Sequence, residues 1–269
     1  MFDFFDEDLD SMELVEGALS LNLAIKSSTS KQWAEDKLEL MLMDAEAGVA
    51  SEIEPKAQFA KLLKLFYQEW GFVGDYDEYF SSENAFIDKV LERKKGIPVS
   101  LGSILLYLAQ NLNFPVSGVS FPTQFLLRID WPNERPLYLN PFNGEYVTKQ
   151  VLGAWLIGHD GPLAKLKEKD LAAVDNPTVI GRLLALMKHA FLREETYDLA
   201  LKCSDLALSF TPDDPYEIRD RGFIYQQLDC NQMASSDFEF FIENCPDDPA
   251  ADLLKAQVRL LKELPLILH

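Results

Sequence analysis

The C-terminal third of the chain repeats itself with a period of 34 residues. A repeat of this length is typical of a helix pair that buries its apolar face only by stacking on its neighbours. An aspartate followed by proline predicts an N-cap and the first residue of a new helix. The pattern therefore predicts stacked helix pairs with small residues where the helices cross. The recurring positions are Ala200 and Ala234, Pro212 and Pro246, and the triplets 213–215 and 247–249.

The 34-residue length is the tetratricopeptide period, with repeats starting at Gly181 and Pro215 and a capping helix over 249–264. Such helices recognise peptides, so we expect another protein or peptide as partner. Arginine beside aromatic rings suits an acidic, partly apolar peptide. The alternative is that this face packs against the N-terminal part of the chain. Of the positions that the repeat phase places on this face, five are predicted to bind the partner: Arg182, His189, Arg193, Arg219 and Phe223.

The charge of the chain excludes one large class of partner. With a net charge of −19, it would be repelled by a nucleic-acid backbone. The acidic start, Met1–Asp8, is interpreted either as a solvated helix start or as a docking surface for a basic partner. It lacks the features of a signal peptide, and no apolar run reaches membrane-spanning length, so we expect a cytoplasmic protein without membrane contact.

No motif for a metal ion or a cofactor occurs in the chain, so none is expected. Its three cysteines, Cys203, Cys230 and Cys245, lie inside the repeats without a CxxC spacing. They are interpreted as buried, reduced thiols.

Ahead of the repeats, helical periodicity is followed by a change of pattern. Prolines and β-forming residues mark three short extended segments, which predict an antiparallel meander and hence an α+β fold. The predicted helices cover residues 9–26, 54–71, 81–95 and 100–112, and the predicted strands cover 116–121, 125–129 and 137–139.

Three segments of this region carry a resemblance: Gly96-Ile97-Pro98-Val99-Ser100-Leu101, Phe121-Pro122-Thr123-Gln124-Phe125, and Leu139-Asn140-Pro141-Phe142-Asn143-Gly144. Together they resemble the SirB family, and closely its YchA-like members. The resemblance implies a mainly helical α+β chain with a transglutaminase-like core, formed by helices and an antiparallel sheet, over 1–175. Tetratricopeptide helices, an α-solenoid segment, would follow over 176–269. It also implies a regulatory protein.

In catalytic transglutaminase-like proteins, a cysteine at a helix start is activated by a histidine that an aspartate orients. The resemblance places these three positions on Ser100, Gln124 and Asn140, within one or two residues for the first. Glutamine cannot exchange a proton and asparagine carries no charge, so the resemblance implies a degenerate site in a non-enzymatic protein.

Other interpretations of these residues remain open at this stage. Ser100 could be an ordinary helix N-cap, Gln124 a strand-end residue and Asn140 a turn former. The three could also form a vestigial cleft that binds a small ligand. A further alternative is an acyltransferase or hydrolase that uses Ser100 with His159, a histidine predicted in an exposed loop.

Overall fold

The computed structural model describes residues 11–263. The acidic start Met1–Asp8, the beginning of the helix predicted from Leu9, and Leu264 to His269 lie outside the described residues. The helices are α1 Leu14–Ile25, α2 Lys31–Val49, α3 Pro55–Lys64, α4 Ile87–Arg93, α5 Pro98–Asn111, α6 Lys149–Asp160, α7 Asn176–Arg193, α8 Tyr197–Phe210, α9 Pro215–Gln227, α10 Asn231–Asn244 and α11 Pro249–Glu263. The strands are β1 Val73–Gly74, β2 Lys95–Gly96, β3 Val116–Ser120, β4 Phe125–Ile129, β5 Leu137–Asn140 and β6 Glu145–Tyr146.

The backbone forms two compact units, Met1–Leu183 and Leu184–His269, and the division between them falls within α7. The sequence predicted the division at the start of that helix, after residue 175. Across residues 11–263, no helix is both long enough and apolar enough to cross a bilayer.

In the first unit, a buried helix packs on an antiparallel meander. Helix α5 starts with Pro98, whose fixed φ suits the first helical position, and almost every side chain after it is buried. The four strands pair in the order β3-β4-β5-β6, with Val116 opposite Ile129 and Leu127 opposite Leu139. The predicted α+β fold with an antiparallel sheet is confirmed.

Several local predictions in this unit were wrong. The helix predicted over 81–95 is broken, because Phe86 is extended between a 3-10 turn, Ser82–Ala85, and α4. Lys94 then adopts a left-handed φ of 57°, which ends α4 and lets β2 pair in parallel with β1. Helices α2 and α6 were missed. The predicted helix over 54–71 is α3 followed by a single π-helical turn, Leu65–Glu69.

The second unit consists of the predicted helix pairs. The Asp214 carboxylate accepts hydrogen bonds from the backbone N–H groups of Tyr216 and Glu217, as expected of an N-cap before Pro215. Ala200 and Ala234 are fully buried. This confirms the predicted repeat register at these positions.

Close helix crossing in this unit depends on a small residue in α9. A Cβ atom added at Gly222 would lie 2.7 Å from the Phe238 ring, too close for any larger side chain without a shift. The Cys203 thiol is buried, and burial raises its pKa to about 12. Cys230 and Cys245 are only partly buried, so the prediction of three buried thiols holds for one of them.

The buried crossing at Ala234 gives a stability prediction. We expect Ala234→Leu to lower the free energy of unfolding by ~1–3 kcal/mol, because the added atoms overpack a site with no exposed surface. Ala256→Leu, on the exposed face of α11, is the matched control and should have little effect. Denaturant midpoints measure both changes. Equal midpoints for wild type and Ala234→Leu would contradict the repeat register.

Candidate functional site

The site predicted from the resemblance begins at the first turn of α5. Ser100 is the third residue of this helix, and Ile97 holds the N-cap position, so the N-cap interpretation of Ser100 was wrong. Its hydroxyl accepts a hydrogen bond from the Ile97 backbone N–H (3.2 Å) and donates to the carbonyl oxygen of Asn84 (2.6 Å). The residue is 0% exposed. The oxygen at the predicted nucleophile position is therefore closed to solvent and committed to backbone partners.

The segments that carry the other two positions meet the same helix at Gly102. A Cβ atom added there would lie 2.6 Å from the Phe125 ring and 3.1 Å from Pro141 Cγ. Phe125 directly follows Gln124, and Pro141 directly follows Asn140. Because Gly102 has no side chain, the start of β4 and the end of β5 both approach the first turns of α5.

Asn140 serves the turn that follows β5. Its side-chain oxygen accepts the backbone N–H of Phe142 (3.0 Å), and its carbonyl oxygen accepts that of Gly144 (2.9 Å). Gly144 has a φ of 74°, a conformation that suits glycine. The asparagine oxygen at the predicted aspartate position thus stabilises a turn, in line with the turn-former interpretation.

Gln124 is different, because its side-chain nitrogen is buried without being used in the described part of the chain. Among residues 11–263, neither the buried Gln124 Nε2 atom nor the buried Oγ1 atom of its neighbour Thr123 has a hydrogen-bond partner. Burying a polar group without a partner costs roughly 1–3 kcal/mol. Two such atoms on adjacent residues occupy the place where the resemblance puts the catalytic histidine.

Behind Ser100 lies a buried polar network that sequence reasoning missed. Asn84, whose carbonyl holds the serine, accepts a hydrogen bond from Arg93 Nη1 on its side-chain oxygen (3.2 Å). Arg93 Nη2 contacts the buried Asp75 carboxylate at 2.7 Å. Burial alone would raise the pKa of Asp75, but the Glu78 backbone N–H and the charges of Lys95 and Arg93 hold it below its ordinary value.

Aromatic side chains surround the turn after β5. The Phe142 ring contacts those of Tyr76 at 4.6 Å and Tyr79 at 5.7 Å between centroids, both with edge-on geometry. The Tyr67 hydroxyl donates to the Pro141 carbonyl at 2.9 Å. Burial raises the pKa of both Tyr67 and Tyr79, so neither phenol ionises near neutral pH.

Residues 96–144, which hold all three predicted positions, contain neither cysteine nor histidine. His159, predicted in an exposed loop, instead lies in the last turn of α6, where its Nδ1 contacts the Asp160 carboxylate. Its side chain is 57% exposed, whereas Ser100 is fully buried. A Ser100–His159 pair would need both residues to change their surroundings.

The residues predicted to bind a partner differ in their surroundings. Arg182 belongs to the first unit, where its Nη1 atom donates to the Phe121 carbonyl (2.6 Å) and to Ser120 Oγ (3.2 Å). Burial lowers the pKa of Arg182. Its guanidinium is tied to the end of β3 and is not presented on an open face, a difference from its predicted place in the repeat.

In the second unit, the other predicted residues lie on helix surfaces. The Arg219 guanidinium lies over the rings of Tyr216 (5.2 Å) and Phe241 (5.3 Å), and it donates to Asp220. Phe223 is 42% exposed and packs on Phe238. Tyr216, Arg219 and Phe223 follow each other at helical spacing and form one aromatic and cationic face of α9. His189 and Arg193 are exposed on α7.

Comparison with known proteins places this geometry in context. A family profile described as "Transglutaminase-like superfamily" matches residues 32–185, and one described as "Tetratricopeptide repeat" matches 187–259. A "UPF0162 protein" of Vibrio cholerae is 64% identical over 97% of both chains. "Protein SirB1" of Salmonella typhimurium and "UPF0162 protein YchA" of Escherichia coli are each 38% identical over 98% of both chains. No solved structure matches the chain.

The Asp75–Arg93 contact predicts a pH dependence of stability. Because the pKa of Asp75 is lowered in the folded state, its contribution is present above the unfolded pKa of ~3.9 and is lost as the pH falls through the lower folded value. We expect Asp75→Asn to cost about 1–3 kcal/mol at neutral pH and to flatten the acid limb of the stability profile. Asp77→Asn, at an exposed aspartate near Lys95, is the control. If the free energy of unfolding fell equally steeply with decreasing pH in wild type and Asp75→Asn, this account would be contradicted.

Proposed function

The chain belongs to the family of SirB1 and YchA, and from this membership we propose that it is a non-enzymatic regulatory protein of the cytoplasm that acts through contacts with another protein. In this proposal the transglutaminase-like unit is a pseudoenzyme scaffold. The tetratricopeptide unit carries the partner-binding face. No cofactor or metal ion takes part.

One observation carries the first half of the proposal: the hydroxyl at the nucleophile position is fully buried and donates to the Asn84 carbonyl. A nucleophile must reach its substrate and must pass its proton to a base. Ser100 has neither access nor a base, and the glutamine at the histidine position cannot take and return a proton. Its hydrogen bonds support a structural role at the start of α5.

Ser100→Ala separates the structural role from a catalytic one. We expect the variant to lose ~1–3 kcal/mol of stability, because the Asn84 carbonyl and the Ile97 N–H are left buried with a partner missing. Ser103→Ala is the matched control, since that hydroxyl only donates back to the Val99 carbonyl of the same helix. Chemical denaturation measures both variants.

The same variants test for catalysis. We expect neither wild-type protein nor Ser100→Ala to hydrolyse ester, amide or glutamine substrates or to react with serine- or cysteine-directed probes at residues 96–144. Mass spectrometry of the labelled protein locates any adduct. Turnover that Ser100→Ala abolishes while Ser103→Ala keeps it would overturn the pseudoenzyme proposal.

The second half of the proposal is supported by the face that Tyr216, Arg219 and Phe223 form on α9. A guanidinium held over two rings offers a charge-assisted hydrogen bond to a carboxylate beside apolar surface. This combination fits an acidic, partly apolar peptide. His189 and Arg193 extend the proposed face onto α7, while Arg182, bound to the β3 end, is not needed for it.

Charge reversal at Arg219 tests the partner face. We expect Arg219→Glu to weaken binding of the partner by a few kcal/mol if the contact is buried, and by under ~1 kcal/mol if it lies at the rim. Pull-downs from native cytoplasm would then recover less of the partner. Arg259→Glu, the same charge change at an exposed position of α11, is the control. Arg219→Gln removes the positive charge without placing a second carboxylate beside Asp220, as Arg219→Glu does. If both variants fold and recover as much partner as the wild-type protein does, a purely structural role for this face is favoured.

A second candidate function rests on two buried atoms, Gln124 Nε2 and Thr123 Oγ1, for which residues 11–263 supply no hydrogen-bond partner. A small ligand with a carbonyl or carboxylate oxygen could accept the amide N–H there, and the chain would then act as a sensor. A thermal-shift screen tests this. A compound that stabilises wild type but not Gln124→Leu would favour the sensor over the scaffold.

A further inference from the structure

A groove beside α6 has no role in either function proposed above. Its volume is about 530 Å³, within the range of ligand sites in proteins. Pro122, Leu156 and Ala164 form its apolar part, and three lysines, Lys165, Lys167 and Lys169, line it as well. All of these residues belong to the first unit.

The first two of these lysines alternate with residues that face the core. Ala164 and Leu166 pack against an apolar cluster of the first unit, while Lys165, Lys167 and Lys169 are exposed. Within residues 11–263, none of these lysines forms an ion pair. The neighbouring Lys149, by contrast, contacts Glu168 at 2.9 Å.

Two aspartates line the groove as well, but each already has a partner. Asp160 contacts the ring of His159, and the Asp170 carboxylate accepts the backbone N–H of Lys167 (2.8 Å). The groove therefore holds three lysines and two aspartates beside apolar surface, an excess of positive charge in a chain whose net charge is −19. Its complement is a segment that carries carboxylates and apolar side chains together.

The chain itself contains such a segment. Residues 1–10 read Met-Phe-Asp-Phe-Phe-Asp-Glu-Asp-Leu-Asp, with five acids, no base and three phenylalanines. We propose that residues 1–10 dock in the lysine-lined groove, with carboxylates on Lys165, Lys167 and Lys169 and aromatic side chains on the apolar part. This gives the acidic start of the chain an intramolecular basic partner.

The length of the tether permits this docking. The Met12 carbonyl accepts a hydrogen bond from Asn176 Nδ2 (2.8 Å), so the described chain begins next to the start of α7. Lys169 precedes Asn176 by seven residues, at most ~25 Å of chain. Ten residues span up to ~33–36 Å. Because the segment is covalently attached, its effective concentration at the groove is high even when each contact is weak.

The charge of the molecule disfavours a nucleic acid or a free phosphate in the groove. A free phosphate has no apolar surface, and a nucleic acid carries one negative charge per nucleotide, which the acidic remainder of the chain repels. An acidic segment with phenylalanines instead uses the cations and the apolar part together.

Carbodiimide cross-linking of the full chain tests the proposal, because the reagent joins only carboxylates and amines that are in contact. We expect cross-links at monomer mass from residues 1–10 to Lys165, Lys167 or Lys169, identified by mass spectrometry after digestion. Their yield should fall as NaCl is raised towards 1 M, where the Debye length is only about 3 Å.

Charge reversal provides matched variants. Lys165→Glu/Lys169→Glu should lower the yield roughly tenfold through like-charge repulsion. Lys37→Glu/Lys64→Glu, with the same change of charge outside the groove, should keep it. Adding Asp6→Lys/Asp8→Lys to the groove variant should restore cross-links with the charges exchanged.

Three results would overturn the proposal: no cross-link from residues 1–10 to the groove, cross-links spread equally over other lysines, or cross-links confined to a covalent dimer. The last would assign the segment to a second copy. None of these results depends on a partner of the tetratricopeptide unit, so the docking proposal can fail without affecting the proposed function.

Discussion

The hydrogen bond from the Ser100 hydroxyl to the Asn84 carbonyl joins the buried helix α5 to a buried polar network of the first unit. On one side of it, Ser100 orders the first turn of the buried helix α5. On the other, Asn84 is held by Arg93, which is in turn paired with the buried Asp75. Each of these polar groups is costly to bury alone and becomes tolerable only when the others are present. This chain of contacts holds the start of α5 beside the 3-10 turn Ser82–Ala85.

The second unit contains a comparable arrangement between its helices. The buried Lys188 Nζ on α7 lies 2.8 Å and 2.7 Å from the two carboxylate oxygens of Glu217 on α9, and Ser204 on α8 donates to the same carboxylate. Such a buried pair adds little net stability, because desolvation offsets the attraction. We infer that it selects one register of three helices that apolar packing alone would leave less defined.

The success of sequence reasoning varied with how local each signal was. The repeat positions Ala200 and Ala234 could be placed because a 34-residue recurrence marks equivalent helix crossings directly. Helix α2 was missed because its buried stripe is one residue wide and lies among charged side chains. The Ser100 partner could not be foreseen. It is a backbone carbonyl 16 residues away. Because every residue has a backbone carbonyl, residue type does not indicate which one will accept the hydrogen bond.

One residue assigned to the proposed partner face lies elsewhere, for a related reason. The repeat phase assigned Arg182 to it, but the division between the two units falls just after this residue, and the start of α7 packs with the meander. No sequence pattern indicated the lysine-lined groove, because three lysines in an irregular segment are also typical of a solvent-exposed loop.

The burial of Ser100 also bears on what a substitution at this position would do. A cysteine here and a histidine at Gln124 would supply the residue types that the resemblance assigns to a catalytic centre, but the sulfur would occupy the site of an oxygen held at 2.6 Å from a carbonyl. A thiol donates more weakly than a hydroxyl and needs longer contacts. One atom would then have to serve both as a reactive group and as the anchor of a helix start, so this double substitution would weaken the first turn of α5.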